Sequence, residues 1–137
     1  MTTKILFKDL AVTLAVILVV DAIYLYLIKN KFSNQVFMVQ REKLKVDKIA
    51  FILTYILMAL MFYFLVIDSC AKSNYIKSQY LYAFLVGIFV YGVFEFTNKA
   101  LFSHWQWWPT VIIDTIWGGF LFLISYVIIS EIKKLYS

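Results

Sequence analysis

Three carboxylates stand inside apolar stretches of this chain of 137 residues: Asp21, Glu95 and Asp114. An ionised acid in membrane hydrocarbon costs about 2.5–3.5 kcal/mol on insertion scales, so such residues face a partner or cavity and often mark ion or proton pathways. Hydrogen-bonding side chains near them are expected to support the acids, and these are Tyr24, Tyr91, Thr97 and Asn98.

The composition predicts the elements that must position these acids. Hydrophobic residues make up 64% and charged residues 15%, whereas soluble domains are about half apolar and a quarter charged. We therefore predict an all-α integral membrane four-helix bundle, with residues 1–137 as a single transmembrane domain in a lipid bilayer and both termini on the same side. Each predicted span approaches the roughly 20 residues that cross a bilayer; the spans are Leu10–Ile28, Ile49–Ile67, Tyr80–Asn98 and Thr110–Ser130.

This arrangement brings the acids to one level of the membrane. From the rise of a helix, Asp21 lies about 10 Å, Glu95 about 5 Å and Asp114 about 6 Å inside its span. All three depths are measured from one end of the bundle, which we call face B; it is formed by the connections Lys29–Lys48 and Lys99–Pro109. Face B carries seven basic residues and the opposite face six, a balance that assigns no orientation.

Three neighbouring carboxylates cannot all stay ionised in a low dielectric without cations. The residues leave open a shared proton, a bound hard cation, or pairing with a base such as Lys99. Cys70 is the only cysteine and His104 the only histidine, so zinc is not favoured, and no cofactor is expected. The net charge of +5 resides in the connecting segments, which favours anionic lipid headgroups over nucleic acid as its partner.

The connections carry further patterns. Apolar and basic residues intermingle in Lys29–Lys48, which predicts a short amphipathic helix lying in the membrane interface between helices 1 and 2, with a solvated loop as the alternative. Trp105, Trp107 and Trp108 are typical of an interfacial aromatic belt, with ligand stacking as the alternative. A structural or interfacial role is also expected for three other residues, which are His104, Trp117 and Gly118.

A resemblance to a known family rests on the same positions. The segment from Tyr91 to Ala100 reads YGVFEFTNKA and resembles the Tyr-x-x-Tyr-Asp-Leu-Thr-Asn-x-Ala signature of an uncharacterised family of predicted four-helix integral membrane proteins. The run from Asp114 to Gly118 matches that family's Asp-x-x-Trp-Gly motif. Glutamate replaces the usual aspartate of the signature at position 95. The resemblance implies the four-helix topology and assigns no activity.

The acids support three hypotheses. The first is a small protein that binds or translocates protons or a hard cation, as a channel or transporter, with a homo-oligomer completing the pathway. The second is a membrane-embedded enzyme or accessory protein that acts on a lipid-like substrate by acid–base chemistry. The third is a structural or assembly protein whose acids bond its helices together. The residues favour the first hypothesis and leave enzyme activity open, with a non-enzymatic role favoured.

Overall fold

The computed structural model describes residues 3–136, so residues 1, 2 and 137 of the predicted domain lie outside the described part. Within that part, four helices are long and apolar enough to cross a membrane, and no strand occurs. The helices are α1 (Thr3–Gln40), α2 (Lys48–Lys72), α3 (Gln79–Leu101) and α4 (Ile112–Tyr136). The prediction of an all-helical membrane protein with four candidate spans is confirmed.

α1 is much longer than one membrane span. Its 38 residues extend about 57 Å, against a hydrocarbon thickness of about 30 Å. The short amphipathic segment expected after the first span is not a separate helix: it is the continuation of α1 to Gln40, because no glycine or proline interrupts the chain there. The helix ends at Gln40: the amide of the next residue, Arg41, still donates to the Phe37 carbonyl at 2.9 Å, and the left-handed φ of 60° at Arg41 turns the chain out of the helix.

α2 begins at Asp47, whose carboxylate accepts hydrogen bonds from two amides of the first helical turn. The helix is regular over Lys48–Phe62, widens into π-helical turns over Tyr63–Asp68, and returns to an α-helical turn over Ser69–Lys72. α3 contacts α2 mainly through the π-helical segment. Between that segment and face B, α2 and α3 diverge and leave a groove.

The closest helix contact is between α3 and α4, where glycines face each other. A methyl group added at Gly87 would lie 2.1 Å from the Gly118 carbonyl oxygen and 2.9 Å from Gly119 Cα. Tyr91 covers Gly118, where an added methyl would lie 2.4 Å from the tyrosine ring. Small residues allow such close approach of membrane helices. The contact places Glu95 of α3 at the level of Asp114 of α4.

α1 packs between α2 and α4, and the half of the bundle away from face B is an apolar core. Ile17, Phe62, Phe122 and Ile129 are fully buried there. The rings of Phe62 and Phe122 meet edge to face with centroids 5.0 Å apart. At the far end, Lys133 Nζ of α4 lies 2.9 Å from the buried carboxylate of Asp9 on α1. This ion pair joins the first turns of α1 to the last turns of α4.

Candidate functional site

The site begins with Asp21 on α1, which is 4% exposed. One carboxylate oxygen accepts a hydrogen bond from the Tyr55 hydroxyl of α2, and the other accepts from Trp117 Nε1 of α4 at 2.9 Å. Asp21 therefore bonds three helices together at one level. Trp117, expected to have a structural role, contacts the acid directly.

Tyr24 lies one turn further along α1 and links Trp117, the partner of Asp21, to the second acid, Asp114. Its hydroxyl donates to Asp114 Oδ1 of α4. Its ring stacks on Trp117, with centroids 4.4 Å apart and planes 9° from parallel. Because Trp117 also bonds Asp21, each ring of this stack donates a hydrogen bond to one of the two aspartates.

Asp114 and Glu95 form the centre of the site. Their carboxyl groups lie within hydrogen-bonding range of each other, and they are 8% and 1% exposed respectively. Glu95 Oε2 also accepts a hydrogen bond from Trp105 Nε1 at 2.8 Å. Two carboxyl groups in contact in a low dielectric cannot both be ionised, so this geometry can hold one proton between them.

The surroundings supply hydrogen-bond donors to the acids, but among residues 3–136 no basic side chain forms a salt bridge with them. None of the salt bridges found within residues 3–136 includes Asp21, Glu95 or Asp114; those bridges are Lys72–Asp68, Lys133–Asp9 and Lys134–Glu131. In the same part of the chain, no three His, Cys, Asp or Glu side chains are arranged to hold a metal ion. Protons or a cation from outside the protein would then balance the negative charge of the three acids.

A narrow crevice connects Asp114 to face B. It measures about 40 Å³ and is lined by Tyr24, Lys31, Thr110 and Asp114 among others. Lys31 is exposed at the outer end, and the acid lies at the inner end. Since a water needs roughly 10–15 Å³ of such volume and several polar partners, the crevice has room for water between the acid and the aqueous phase.

Gln35 on the extension of α1 holds the loop that carries Trp105. Its amide nitrogen donates to the His104 carbonyl at 2.8 Å, and its oxygen accepts from the Gln106 amide and the Thr110 hydroxyl, each at 3.2 Å. Gln35 was not among the predicted site residues. The only sign of its role in the sequence is that Gln35 is a polar residue at an apolar position of the amphipathic segment.

The other predicted site residues are distributed unevenly. Tyr91 lines the groove next to Asp21. Thr97 is exposed on the outer surface of α3, away from the acids, and lines a separate apolar groove there. Asn98 is half-buried, and its backbone carbonyl caps α3 by accepting from the Phe102 amide at 2.8 Å. His104 is exposed and contributes a backbone carbonyl to the Gln35 bonds.

The three tryptophans of the last connection have different environments. Trp107 and Trp108 are 53% and 67% exposed, whereas Trp105 is 6% exposed and bonded to Glu95. The expectation of one interfacial belt therefore does not describe Trp105. Its indole lies under the loop because Gln35 holds that loop against α1.

Together these features define a four-helix membrane protein with a carboxylate cluster between its helices. The chain belongs to the family described as predicted membrane protein DUF2177, whose profile matches residues 6–129. The match includes all three acids and confirms the resemblance to a family of predicted four-helix membrane proteins. A search of curated proteins and a search of solved structures each found no match.

Proposed function

We propose that this protein binds and releases a proton within the membrane, on the Glu95–Asp114 carboxyl pair. The observation that carries the proposal is the contact between these two buried carboxyl groups, neither of which forms a salt bridge with a basic side chain of residues 3–136. Proton sharing is the lowest-cost state of such a pair, because full ionisation places like charges side by side in a low dielectric.

The donors around the acids favour a proton over a hard cation. Asp21 accepts from a hydroxyl and an indole, Asp114 accepts from a hydroxyl, and Glu95 accepts from an indole. Each of these hydrogen bonds occupies a carboxylate oxygen that a metal ion would need as a ligand. Ca²⁺ takes 6–8 oxygen ligands. A single proton needs only the one position between Glu95 and Asp114.

The crevice gives the proposed proton a route to face B. Water between Lys31 and Asp114 would exchange protons with the aqueous phase, and the Tyr24 hydroxyl lines the same crevice. The other half of the bundle is filled mainly by apolar side chains such as Phe62 and Phe122. This asymmetry supports a site loaded from one side, as in a proton-coupled transporter, rather than an open channel.

The test is infrared spectroscopy of the purified protein in lipid nanodiscs, recorded in H₂O and D₂O. The wild type is expected to show the C=O stretch of a protonated, buried carboxyl group near neutral pH. Glu95→Gln removes this band, because the new amide donates to Asp114 in place of the proton. The matched control is Glu131→Gln, an exposed acid of α4 that pairs with Lys134, and it leaves the band unchanged.

A wild type without a protonated-carboxyl band would overturn the proposal. So would a band that persists in both Glu95→Gln and Asp114→Asn, because the proton then lies elsewhere. Circular dichroism of each variant establishes that the helices are intact before the spectra are compared.

A structural role is the second candidate, and one observation favours it. Both oxygens of Asp21 accept hydrogen bonds, each from a different helix, as expected of a group that holds helices together. In that case Asp21→Asn lowers the stability of the bundle, and no protonated-carboxyl band depends on Glu95. The infrared experiment therefore separates the two candidates.

We further propose that both termini lie on one side of the membrane and that the working unit is a homo-oligomer. The Asp9–Lys133 ion pair supports the first proposal, since it joins the beginning of α1 to the end of α4. The apolar packing of the half away from face B supports the second. A continuous route across the membrane would have to be completed between copies.

A further inference from the structure

A groove of about 620 Å³ lies between α1, α2 and α3, beside the carboxylate cluster. Asp21, Tyr55 and Tyr91 are among its polar residues, and Phe51, Met58 and Phe94 are among its apolar walls. The Glu95–Asp114 pair does not line it. The volume is within the roughly 300–1,000 Å³ of small-molecule sites, which are mostly apolar with a few polar groups.

The carboxylate of Asp21 gives this groove a negative charge. Tyr55 and Trp117 donate hydrogen bonds to it, but both donors are neutral. No salt bridge to Asp21 occurs among the residues that the structure describes. Because the interaction between charges is strong in a low dielectric, the groove attracts a positively charged ligand.

The walls decide which kind of cation fits. Aromatic ring faces attract cations, and the rings of Phe51 and Tyr55 lie with centroids 4.8 Å apart next to Asp21. A small inorganic ion would lose its hydration against apolar walls, whereas an organic cation carries an apolar body that the walls accept. Two oxygen positions of Asp21 are already hydrogen-bonded, so a cation that needs no hydrogen-bond acceptor suits the site best.

We propose that the groove binds a lipophilic organic cation of the quaternary ammonium or phosphonium class against Asp21, in competition with a proton. The inference rests on the proposed function: a proton held by the Glu95–Asp114 pair leaves Asp21 as the charge that faces the groove, and a proton on Asp21 itself would remove the charge that holds the cation. The titratable groups that interact with Asp21 come from every helix of the site and are Tyr24 on α1, Tyr55 on α2, Tyr91 on α3 and Asp114 on α4.

The test is equilibrium binding of radiolabelled tetraphenylphosphonium to the purified protein in neutral detergent micelles. The wild type is expected to bind it saturably at neutral and alkaline pH. Affinity falls as the pH falls, by up to about tenfold per pH unit where one proton displaces one cation. Asp21→Asn weakens binding by at least about tenfold, since the charge is lost while the shape of the side chain is kept.

A second variant protects the test against misfolding of Asp21→Asn. Met58→Trp places a large ring in the groove and keeps the carboxylate, and it is expected to abolish saturable binding. Ile52→Trp is the matched control, because Ile52 lies on the same helix, is 57% exposed and does not line the groove. Wild-type affinity in Met58→Trp would overturn the inference.

The failure of this inference can be told apart from the failure of the proposed function. No saturable binding by a wild type that retains the protonated-carboxyl band overturns the cation site alone. Saturable, Asp21-dependent binding by a wild type that lacks the band overturns the Glu95–Asp114 proton pair. Affinity that does not vary with pH overturns the competition between cation and proton.

Discussion

Gly87→Ala tests whether the contact between α3 and α4 sets the geometry of the carboxyl pair. The added methyl would lie 2.1 Å from the Gly118 carbonyl oxygen, which is backbone and cannot rotate away. Moving that oxygen from 2.1 Å to an ordinary contact of 3.4 Å separates the helices by about 1.3 Å. Glu95, two turns further along α3, would move away from Asp114 with its helix.

The magnitude follows from a comparison with Gly92 on the same helix. There the nearest atom to an added methyl is Thr115 Cγ2 at 3.5 Å, an ordinary contact. Replacing glycine with alanine gains up to about 1 kcal/mol of helix propensity at either position, so this term cancels between the two variants. Overpacking costs about 1–3 kcal/mol, and Gly87→Ala is expected to be less stable than Gly92→Ala by that amount.

The assay is unfolding in mixed micelles of increasing denaturing-detergent fraction, followed by tryptophan fluorescence and circular dichroism. The protonated-carboxyl band is recorded on the same samples and is expected to change in Gly87→Ala and to stay as in the wild type in Gly92→Ala. Equal stability of the two variants, with an unchanged band in both, would refute the idea that this glycine contact brings Glu95 to Asp114.

Three further predictions concern the bonds around the site and at the opposite end of the bundle. Asp9→Asn leaves Lys133 without its carboxylate and is expected to lower the free energy of unfolding by about 1–3 kcal/mol in the same assay, since the pair is only partly buried. The double variant Asp9→Asn with Lys133→Met should recover part of this loss of stability. A double-mutant cycle of Tyr55→Phe and Asp21→Asn should give a coupling of about 0.6–1.7 kcal/mol, and a value near zero would mean that the bond contributes nothing. Gln35→Leu removes three hydrogen bonds to the loop before α4 and should speed hydrogen exchange of the loop amides by about tenfold or more, while exchange in the centre of α3 stays unchanged.

Much of the fold could be predicted because long apolar stretches indicate which segments lie in membrane hydrocarbon. The four apolar stretches match four helices, since a backbone in hydrocarbon must satisfy its own hydrogen bonds. The helix ends were less predictable. The residues after Ile28 contain no glycine or proline and so permit α1 to run on to Gln40, but the contact that holds this extension was not predictable: Gln35 bonds His104 and Thr110, about 70 residues later in the chain.

The candidate site was predictable in part for the same reason. Helical rise places Asp21, Glu95 and Asp114 at one depth, but depth does not determine direction around the helix axis. Thr97 is two residues from Glu95 and has the right depth, yet it is exposed on the other side of α3. Trp105 looked like an interfacial residue and is a buried donor to Glu95. Both differences depend on how the helices rotate and pack.

The sequence by itself determined that this is a four-span membrane protein of one family and predicted Asp21, Glu95 and Asp114 under one face. Composition and helical rise are properties of single segments, so they can be evaluated without knowing any contact. Only the tertiary structure decided that Glu95 meets Asp114 while Asp21 faces a separate groove. The reason is that the glycine contact between α3 and α4 brings those two helices close, whereas α2 and α3 diverge above the π-helical segment of α2.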